Sequence, residues 1–372
     1  MTVGILKEPQ GENRVSLLPE QAETLIKKNI TVVVESGAGN NAYADDAAYK
    51  SRNASVVSRQ EALNSDIVLS LSPLSADDVT KLKSDAIVIG VFQPLFKFNE
   101  MKDWSAKGVT TFSMDMIPRT TRAQSMDVLS SQANIAGYKA VLLAAYSYPR
   151  YFPMFMTAAG SIPPAKVLIL GAGVAGLQAI ATAKRLGAVV EVFDTRPAVK
   201  EEVQSLGAKF VEVEGAADAS KAGGYAVEQT EEYKQKQQQK IHDSIAKADV
   251  VITTAQIPGK KAPILITEAM MDAMKSGSII IDLASATGGN TPFTKNNETV
   301  VRKGVSIIGN SNLPSLMPFD ASKMYGKNVL NFMQLILTKE GGINLNFEDD
   351  IVQGCCITHN GNIVNDRVKS LL

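Results

Sequence analysis

Residues 166–194, KVLILGAGVAGLQAIATAKRLGAVVEVFD, constrain the fold of this chain more than any other stretch. A short apolar run precedes Gly171, Gly173 and Gly176, which follow the pattern G-x-G-x-x-G, and a helical pattern comes next. A second apolar run then ends in Asp194. In a βαβ unit of this kind the three glycines make a tight turn, admit a pyrophosphate, and let helix and strand pack closely. The stretch therefore predicts a dinucleotide-binding site at the start of the helix.

Asp194 determines the expected cofactor. A carboxylate at the end of the second strand accepts hydrogen bonds from the adenosine ribose of NAD and repels the 2′-phosphate of NADP. Arg196 leaves two interpretations open: it receives a 2′-phosphate, or it pairs with Asp194 or the pyrophosphate, and we favour the pairing. We therefore expect NAD(H) as the cofactor. The residues assigned to cofactor binding in this region are Gly171, Ala172, Gly173, Val174, Gly176, Asp194, Thr195 and Arg196.

Short β-branched runs alternate with helical patterns along nearly the whole chain, in two series. Such alternation predicts parallel sheets covered by helices on both faces. The strands expected in the first series are Val3–Leu6, Thr31–Val34, Ile67–Leu71, Ala86–Val91 and Val109–Phe112. Those expected in the second series are Val167–Leu170, Val189–Phe193, Ala208–Val211, Val250–Thr253, Ser278–Asp282 and Val305–Ile308.

The connections between and after these series have signals of their own. Two long helical patterns, residues 123–147 and 320–338, flank the second series. Residues 151–166, YFPMFMTAAGSIPPAK, contain three prolines and are expected to form a loop. Asn360-Gly361, between two short alternating runs, predicts a tight hairpin, and we expect these C-terminal residues to return to the first domain.

The predicted fold is α/β, with two doubly wound parallel-sheet (Rossmann-like) domains joined by two long helices and a cleft between the domains. The first domain is expected to be discontinuous and to comprise residues 1–130 plus 317–372. Residues 131–316 are expected to form the NAD-binding domain.

The composition argues against several partners and compartments. The 38 basic and 38 acidic residues cancel, and no basic block follows a nucleic-acid backbone. No stretch approaches the roughly 20 apolar residues of a membrane span, and the N-terminus lacks the pattern of an export signal. We expect a cytoplasmic chain that binds neither nucleic acid nor metal. The only cysteines, Cys355 and Cys356, are adjacent, which suits a buried strand better than a disulfide or a metal site.

Residues 118–141, PRTTRAQSMDVLSSQANIAGYKAV, combine a long helical pattern with a very polar start. One Ser, Thr, Asp or Asn is enough to cap a helix. Here eight charged, amide or serine side chains fall within 14 positions, so capping alone does not explain them. They are Arg119, Arg122, Gln124, Ser125, Asp127, Ser130, Ser131 and Gln132.

The chain offers few candidates for a general base. Dehydrogenases that act on an alcohol or amine usually need His, Lys or Tyr as proton acceptor, and we interpret the two histidines, His242 and His359, as solvent-facing. Hydride transfer between two nicotinamide rings needs no base, because no proton is gained or lost at carbon. It needs two C4 atoms near contact, rigidly held carboxamides and the exclusion of water. The polar stretch is a candidate for holding such a carboxamide.

Several motifs carry a family resemblance. VGILKEPQGENRVSLLPE, VVVESGAGNNAYADD and the glycine pattern occur together with PRTTRAQSMDVLSS and ITTAQIPGKKAP. Over essentially the whole chain they resemble the NAD(H)-binding component of the proton-translocating nicotinamide nucleotide transhydrogenases, the soluble region of the alpha subunit. The first three motifs are shared with the related alanine dehydrogenases, whereas the last two are specific to the transhydrogenases.

The resemblance implies catalytic roles for four residues of the polar stretch. Arg119 and Asp127 would orient the ring of NADH through its carboxamide. Gln124 would reach the ribose of NADP on a partner component. Ser130 would be a further hydrogen-bonding partner. The implied reaction is direct hydride transfer from NADH to NADP⁺.

The resemblance also implies a mobile loop, GGYA at residues 223–226, that closes over bound nucleotide with Tyr225 as its anchor. The implied partners are an NADP(H)-binding component, a membrane-spanning proton-channel component and a second copy of the chain. The complex would hold the chain at the cytoplasmic face, peripheral to the membrane. The further residues assigned to cofactor binding are Gly224, Tyr225, Thr254 and Ala255.

Two other functions are weighed against this one. Alanine dehydrogenases use a Lys after their third strand and a His after their fourth to handle pyruvate and the proton. The corresponding stretches here, residues 67–75 and 87–96, contain neither. The other alternative is a non-catalytic NAD-sensing module. The chain also has SATGGN where several family members carry Glu or Gln before GGN, so no role is assigned to Ser285, Ala286 or Thr287.

Overall fold

A computed structural model describes residues 1–213 and 230–372. They form two compact units, one of Met1–Gln132 with Pro314–Leu372 and one of Ala133–Leu313. Each unit contains a largely parallel sheet whose strands alternate with helices along the chain. The predicted α/β class with Rossmann-like domains is thus confirmed.

The described strands follow the chain in two series, with a short hairpin between the series and another at the C-terminus. They are β1 (Thr2–Ile5), β2 (Thr31–Glu35), β3 (Ser55–Val57), β4 (Ile67–Leu69), β5 (Ile87–Gly90), β6 (Thr110–Ser113), β7 (Phe155–Thr157), β8 (Gly160–Ile162), β9 (Lys166–Leu170), β10 (Val189–Phe193), β11 (Lys209–Phe210), β12 (Val250–Thr253), β13 (Ile279–Asp282), β14 (Glu298–Arg302), β15 (Val305–Gly309), β16 (Cys356–His359) and β17 (Asn362–Ile363).

The described α-helices are α1 (Pro19–Ile26), α2 (Asp46–Ser51), α3 (Arg59–Leu63), α4 (Ala76–Lys81), α5 (Phe98–Ala106), α6 (Val128–Ser147), α7 (Val174–Arg185), α8 (Lys200–Ser205), α9 (Glu231–Ile245), α10 (Glu268–Asp272), α11 (Pro318–Ile336), α12 (Asp350–Cys355) and α13 (Asp366–Lys369). Short 3₁₀ helices occupy Asn40–Ala42, Met114–Met116, Thr121–Met126, Pro197–Val199, Ser285–Thr287 and Leu313–Leu316.

The first unit has an eight-stranded sheet of order β17-β16-β6-β5-β4-β1-β2-β3. Strands β1 to β6 pair in parallel, and β16 pairs antiparallel with β6. The chain moves from β1 outward to β3, and then from β4 outward to β6 on the other side. The strand order therefore reverses between β1 and β4. In open α/β sheets, ligands bind at such a reversal, beyond the carboxyl ends of the strands.

The second unit repeats this arrangement with order β11-β10-β9-β12-β13-β15-β14. All neighbours are parallel except β14, which is antiparallel to β15. Strands β9, β12 and β13 are almost wholly buried, which matches their near-continuous apolar sequence. The order reverses between β9 and β12, so the glycine turn after β9 lies at the position where such sheets bind ligands.

The C-terminal residues return to the first unit, as predicted, because β16 pairs with β6 and then turns into β17. At the turn, Asn360 and Gly361 have φ of 49° and 75°, the left-handed region that a two-residue hairpin loop needs. Cys355 and Cys356 are both buried, but only Cys356 lies in a strand, since α12 runs through Cys355. Burial raises the pKa of the Cys356 thiol to about 12, which leaves it a poor nucleophile.

Three expectations about the connections are corrected. Helix α6 begins at Val128 rather than at residue 123, because the residues before it form a 3₁₀ helix. Helix α11 begins at Pro318 rather than at residue 320, because proline suits the first helical position. Residues 151–166 contain more than a loop, since β7 and β8 pair as an exposed antiparallel hairpin.

Glu8 lies where the strand order of the first sheet reverses, between β1 and β4. It follows β1, is 8% exposed, and accepts hydrogen bonds from the backbone N–H groups of Leu71 at 2.7 Å and Ser72 at 2.9 Å, just after β4. Those bonds favour the ionised carboxylate, but burial outweighs them and raises its pKa from 4.5 to about 7. The position at which a ligand anion would sit is thus taken by a side chain of the same unit.

The pKa of Glu8 makes stability depend on pH. The pKa is higher in the folded chain than in the unfolded chain, so protonation of Glu8 stabilises the fold. This stabilisation is fully present below about pH 4.5 and is lost as the pH rises through about 7. We expect the free energy of unfolding to fall by about 2 kcal/mol from this group between about pH 5.5 and about pH 8. Urea unfolding of the wild type and Glu8→Gln at both pH values measures it.

Glu8→Gln should lose this component of the pH dependence, because an amide does not ionise. Glu340→Gln, a change at an exposed glutamate of the same unit, should keep the wild-type dependence. Identical pH dependence in the wild type and Glu8→Gln would contradict the raised pKa.

Candidate functional site

The glycine turn of the second unit contains two glycines that its own packing requires. Gly171 has φ of +107°, and a Cβ there would lie 2.3 Å from the hydroxyl oxygen of Thr254. A Cβ on Gly176 would lie 1.9 Å from the carbonyl oxygen of Gly171, so α7 packs directly against the turn. These observations match the roles expected of the first and third glycines.

Gly173 differs from the other two glycines of the turn. Its φ of −77° and ψ of −169° are open to any residue, and a Cβ there would meet no atom of the described residues within 4 Å. It precedes α7, whose N-terminus receives no side-chain cap from residues that the structure describes. Uncapped N–H groups at a helix start bind anions, phosphate in particular. Neither its conformation nor its packing against the described residues therefore requires glycine at this position.

Asp194, at the end of β10, is held by four hydrogen bonds. One carboxylate oxygen accepts from the backbone N–H and Nε of Arg196, and the other accepts from Nη2 of Arg196 and from the backbone N–H of Ala172 in the glycine turn. The side chain of Asp194 is 6% exposed. Arg196 is thus paired with Asp194, as the preferred interpretation expects. Since a carboxylate has about four acceptor positions, a further hydroxyl donor would have to replace one of these four.

Thr254 and Ala255 lie on the loop after β12, the neighbour of β9. The Thr254 hydroxyl donates to the carbonyl oxygen of Gly171 at 3.2 Å. Ala255 is held by Asn290, whose side-chain amide accepts from its N–H at 3.2 Å and donates to its carbonyl at 2.9 Å. Asn290 is fully buried and also donates to the carbonyl of Pro263. The sequence motif GGN contains Asn290, but its role in supporting this loop was not predicted.

The remaining assigned residues of the second unit are placed as follows. Ala172 is buried in the turn, Val174 opens α7 and is exposed, and Thr195 follows Asp194 directly. The predicted lid residues Gly224 and Tyr225 lie outside the described residues. The structure thus brings the turn, Asp194 and Thr254 together.

The polar stretch forms a pocket in the first unit. The pocket has a volume of about 490 Å³, and the four residues given catalytic roles all line it. The 3₁₀ helix Thr121–Met126 carries one of them, Gln124, whose side chain is exposed and has no hydrogen-bond partner in the described regions of the chain. The lining residues are Pro118, Arg119, Thr120, Thr121, Ala123, Gln124, Asp127 and Ser130.

Asp127 explains where α6 begins. One carboxylate oxygen accepts from the backbone N–H of Ser130 at 2.9 Å and the other from its hydroxyl at 2.6 Å. This is the geometry of a helix cap, in which the side chain satisfies an N–H of the first turn. Asp127 and Ser130 therefore have a structural role as well as a place in the pocket, and the cap leaves Arg119 and Gln124 without a role in helix initiation.

The other polar side chains of the stretch hold it within the first unit. Ser131 donates to Asn328 at 2.7 Å, and Gln132 accepts from Arg14 at 2.8 Å. Arg122 pairs with Asp349. Seven of the eight side chains thus divide into four that line the pocket and three that anchor the segment, whereas Ser125 contributes its backbone carbonyl, which accepts from Asn328 and Asn331.

The pocket contains donors and acceptors but no histidine among its described lining residues. His359 contacts the ring of Phe347 with centroids 4.7 Å apart, and His242 lies 3.8 Å from Asp243. The His359 side chain is half-buried rather than solvent-facing as expected, whereas the His242 side chain is 39% exposed. Among residues 1–213 and 230–372 no group of three His, Cys, Asp or Glu side chains is arranged to hold a metal. Within the same residues no helix is long and apolar enough to cross a membrane.

Comparison with known proteins places these features in a family. Residues 4–136 match the family description "Alanine dehydrogenase/PNT, N-terminal domain", and residues 140–366 match "Alanine dehydrogenase/PNT, C-terminal domain". A protein of Rhodospirillum rubrum that is named as the first portion of NAD(P) transhydrogenase subunit alpha is 45% identical over 98% of this chain and 98% of its own length.

Solved structures agree with this match. A transhydrogenase from Sinorhizobium meliloti superposes with a TM-score of 0.90 at 43% identity, covering 98% of this chain and 100% of that one. An L-alanine dehydrogenase has the same fold, with a TM-score of 0.84 at 22% identity over 100% of this chain and 99% of its own.

Proposed function

The chain belongs to the alanine dehydrogenase/PNT family, and from this membership we infer that it is the NAD(H)-binding component of an NAD(P)⁺ transhydrogenase. Such an enzyme moves a hydride from C4 of the NADH ring to C4 of the NADP⁺ ring. NADH gives up the hydride and becomes NAD⁺, and NADP⁺ accepts it and becomes NADPH, so no proton has to be removed.

The observation that carries the proposal is the pocket of the first unit. It combines Arg119, Gln124, Asp127 and Ser130 but contains no histidine among its described residues. A carboxamide offers one N–H₂ donor group and one carbonyl acceptor, so a neighbouring guanidinium and carboxylate suit it. We propose that Arg119 and Asp127 orient the NADH ring in this way, with Ser130 fixing Asp127. Gln124, exposed and without a partner among the residues that the structure describes, would contact the NADP held by the partner component.

The glycine turn supports the cofactor assignment. The space over Gly173 and the start of α7 suit a pyrophosphate, and Asp194 suits the adenosine ribose. NADP(H) is proposed to bind on a separate component, with a further membrane-spanning component carrying protons. We also propose that the chain acts as a homodimer, peripheral to the membrane on its cytoplasmic side.

The test mixes the chain with the NADP-binding component of a transhydrogenase, NADH and the thionicotinamide analogue of NADP⁺. Reduction of the analogue only when both components are present supports the function. Tight NADH binding without any transfer would instead support an NAD-sensing module. Oxidation of L-alanine with NAD⁺ by the chain alone would support an alanine dehydrogenase.

The structure argues against the alanine dehydrogenase alternative. Where that family needs a Lys, this chain has Ser70, Leu71 and Ser72. The Ser70 hydroxyl donates to Glu8 and to the carbonyl of Ser72, and the N–H groups of Leu71 and Ser72 donate to Glu8. Where it needs a His, the chain has Phe92, which is fully buried, and Gln93. Neither segment offers a group that accepts a proton near neutral pH.

Asp194 should make the chain bind NADH more tightly than NADPH. A 2′-phosphate beside this carboxylate places like charges within a few ångströms, which costs roughly 1 kcal/mol or more when partly desolvated. Calorimetric titration with both nucleotides measures the difference. Asp194→Asn should reduce the difference between the affinities for NADH and NADPH, because the negative charge is removed and Arg196 loses its ionised partner.

Glu191→Gln is the matched control, since Glu191 lies on the same strand and pairs with Lys209 at 3.0 Å on the neighbouring strand. It should leave the preference for NADH unchanged. Equal affinities of the wild type for NADH and NADPH would refute the role of Asp194.

A further inference from the structure

The residues proposed to act on the two nicotinamides depend on a segment that is weak by itself. Gln124 lies in the 3₁₀ helix Thr121–Met126, between Arg119 and Asp127. Helices of this type have poor hydrogen-bond geometry and are rarely long. Four of its six residues are exposed. Contacts from outside the segment must therefore fix the position of the backbone that carries Gln124.

Arg122 makes the most directional of these contacts. Its Nη1 and Nη2 donate to the two carboxylate oxygens of Asp349 at 2.6 and 2.7 Å, and Nη2 also donates to Asp350. The pairing holds the pKa of Asp349 low, at about 2. Asp349 is in turn the cap of α12, because it accepts from the N–H groups of Ile351 at 2.9 Å and Val352 at 3.4 Å. One carboxylate thus joins the segment to the start of α12.

Two more contacts hold the same segment. A Cβ on Gly354 in α12 would lie 2.6 Å from Cγ of Pro118, so the helix packs tightly against the residue before Arg119. From α11, the side chains of Asn328 and Asn331 both donate to the carbonyl oxygen of Ser125, at 2.8 and 2.9 Å. The segment is therefore fixed just before the 3₁₀ helix, at Pro118, and at two positions within it, Arg122 and Ser125.

We propose that Arg122 is a positioning residue for hydride transfer: its two-pronged pair with Asp349 fixes the 3₁₀ helix on α12 and thereby aims Gln124. The proposal rests on the proposed function. Arg122 is 49% exposed, and exposed ion pairs contribute little to stability. A guanidinium that binds both oxygens of a carboxylate nevertheless has a strongly defined geometry. The contact is therefore suited to orienting the segment rather than to holding the fold together.

The test uses Arg122→Gln, Arg122→Lys and Asp349→Asn in the full chain, mixed with the NADP-binding component. Asp349→Asn is informative because Asn caps a helix as well as Asp does, so only the pair with Arg122 is lost. We expect Arg122→Gln and Asp349→Asn to slow single-turnover hydride transfer by about 10-fold, because misplacement of reacting groups by a fraction of an ångström is costly. NADH affinity should change by less than about two-fold, since ground-state binding is preserved.

Two comparisons separate positioning from general destabilisation. The double variant Arg122→Gln/Asp349→Asn should be no slower than Arg122→Gln alone, because Arg122→Gln already removes the pair with Asp349. Arg122→Lys should fall between wild type and Arg122→Gln, since an ammonium cannot bind both oxygens at once. Arg52→Gln is the control, because Arg52 is 42% exposed and pairs with Glu23 elsewhere in the same unit; it should transfer hydride at the wild-type rate.

Wild-type rates in Arg122→Gln and Asp349→Asn would overturn the positioning role. So would slower transfer accompanied by a matching fall in melting temperature, because that pattern indicates a purely structural pair. Absence of transfer in the wild-type mixture is a different result, since it refutes the proposed function itself.

Discussion

Replacing Gln124 by Asn should slow hydride transfer on the order of 100-fold, because a displacement of about 1 Å has an effect of that size in a positioned reaction. The substitution shortens the side chain by one methylene and keeps the amide. Since Gln124 is exposed and has no hydrogen-bond partner among the described residues, the shorter side chain removes no contact from the fold. NADH affinity should therefore change by less than about two-fold.

Single-turnover kinetics of the mixed components measures the effect, with NADH titration of the chain alone beside it. Gln60→Asn, the same change at an exposed residue of α3, should keep the wild-type rate. The other explanation of Gln124, as a member of a capped helix start, predicts no change, and the cap at Asp127 already makes it unnecessary. A wild-type rate in Gln124→Asn would leave Gln124 without a role in the reaction.

Gly173→Ala should weaken NADH binding by 10-fold or more while the chain stays folded. The backbone at Gly173 accepts alanine, and the added Cβ meets nothing in the described protein. The methyl group would instead occupy the space proposed for the pyrophosphate, where a lost or lengthened charge-assisted hydrogen bond costs roughly 1.5–3 kcal/mol. Calorimetric titration with NADH and thermal unfolding without nucleotide together measure the two effects.

Gly176→Ala provides the contrast. Its Cβ would lie 1.9 Å from the carbonyl oxygen of Gly171, so α7 has to move from the turn. Overpacking of this kind typically costs about 1–3 kcal/mol or more of stability, and the melting temperature should fall even without nucleotide. Undiminished NADH affinity in Gly173→Ala would show that the pyrophosphate does not bind at this turn.

Local patterns were sufficient to predict the two sheets and the nucleotide turn. A buried parallel strand is a short apolar run, and the order strand, glycines, helix, strand and acid is continuous in sequence around Gly171. Edge strands were missed, among them β3 and β14, because their residues are partly exposed and their patterns are weak. The start of α6 was placed too early because polar residues suit a 3₁₀ helix and an α-helix equally well.

The contacts that hold the polar stretch in place could not be predicted, for a different reason. Arg122 and Asp349 are 227 positions apart, and neither residue has a local signal that points to the other. Asn290 likewise acts on Ala255 across 35 positions. A sequence pattern identified the residues of the glycine turn, and the family resemblance identified the four residues that line the pocket, whereas the contacts that hold these residues in place depend on the folded chain. The expected roles of Gly224 and Tyr225 remain predictions.

Glu8 also distinguishes the two similar sheets of this chain, because it occupies the point of strand reversal in the first of them. Both sheets reverse strand order in their middle, and in the first of them backbone N–H groups at that point already hold a carboxylate. There the carboxyl group is covalently attached, so its effective concentration at that point is high, and a free anion has to compete with it. A side chain of the first unit thus occupies the kind of position that such sheets otherwise offer to a ligand. A ligand of this unit is therefore expected at the pocket of Arg119 and Gln124 rather than at the strand reversal.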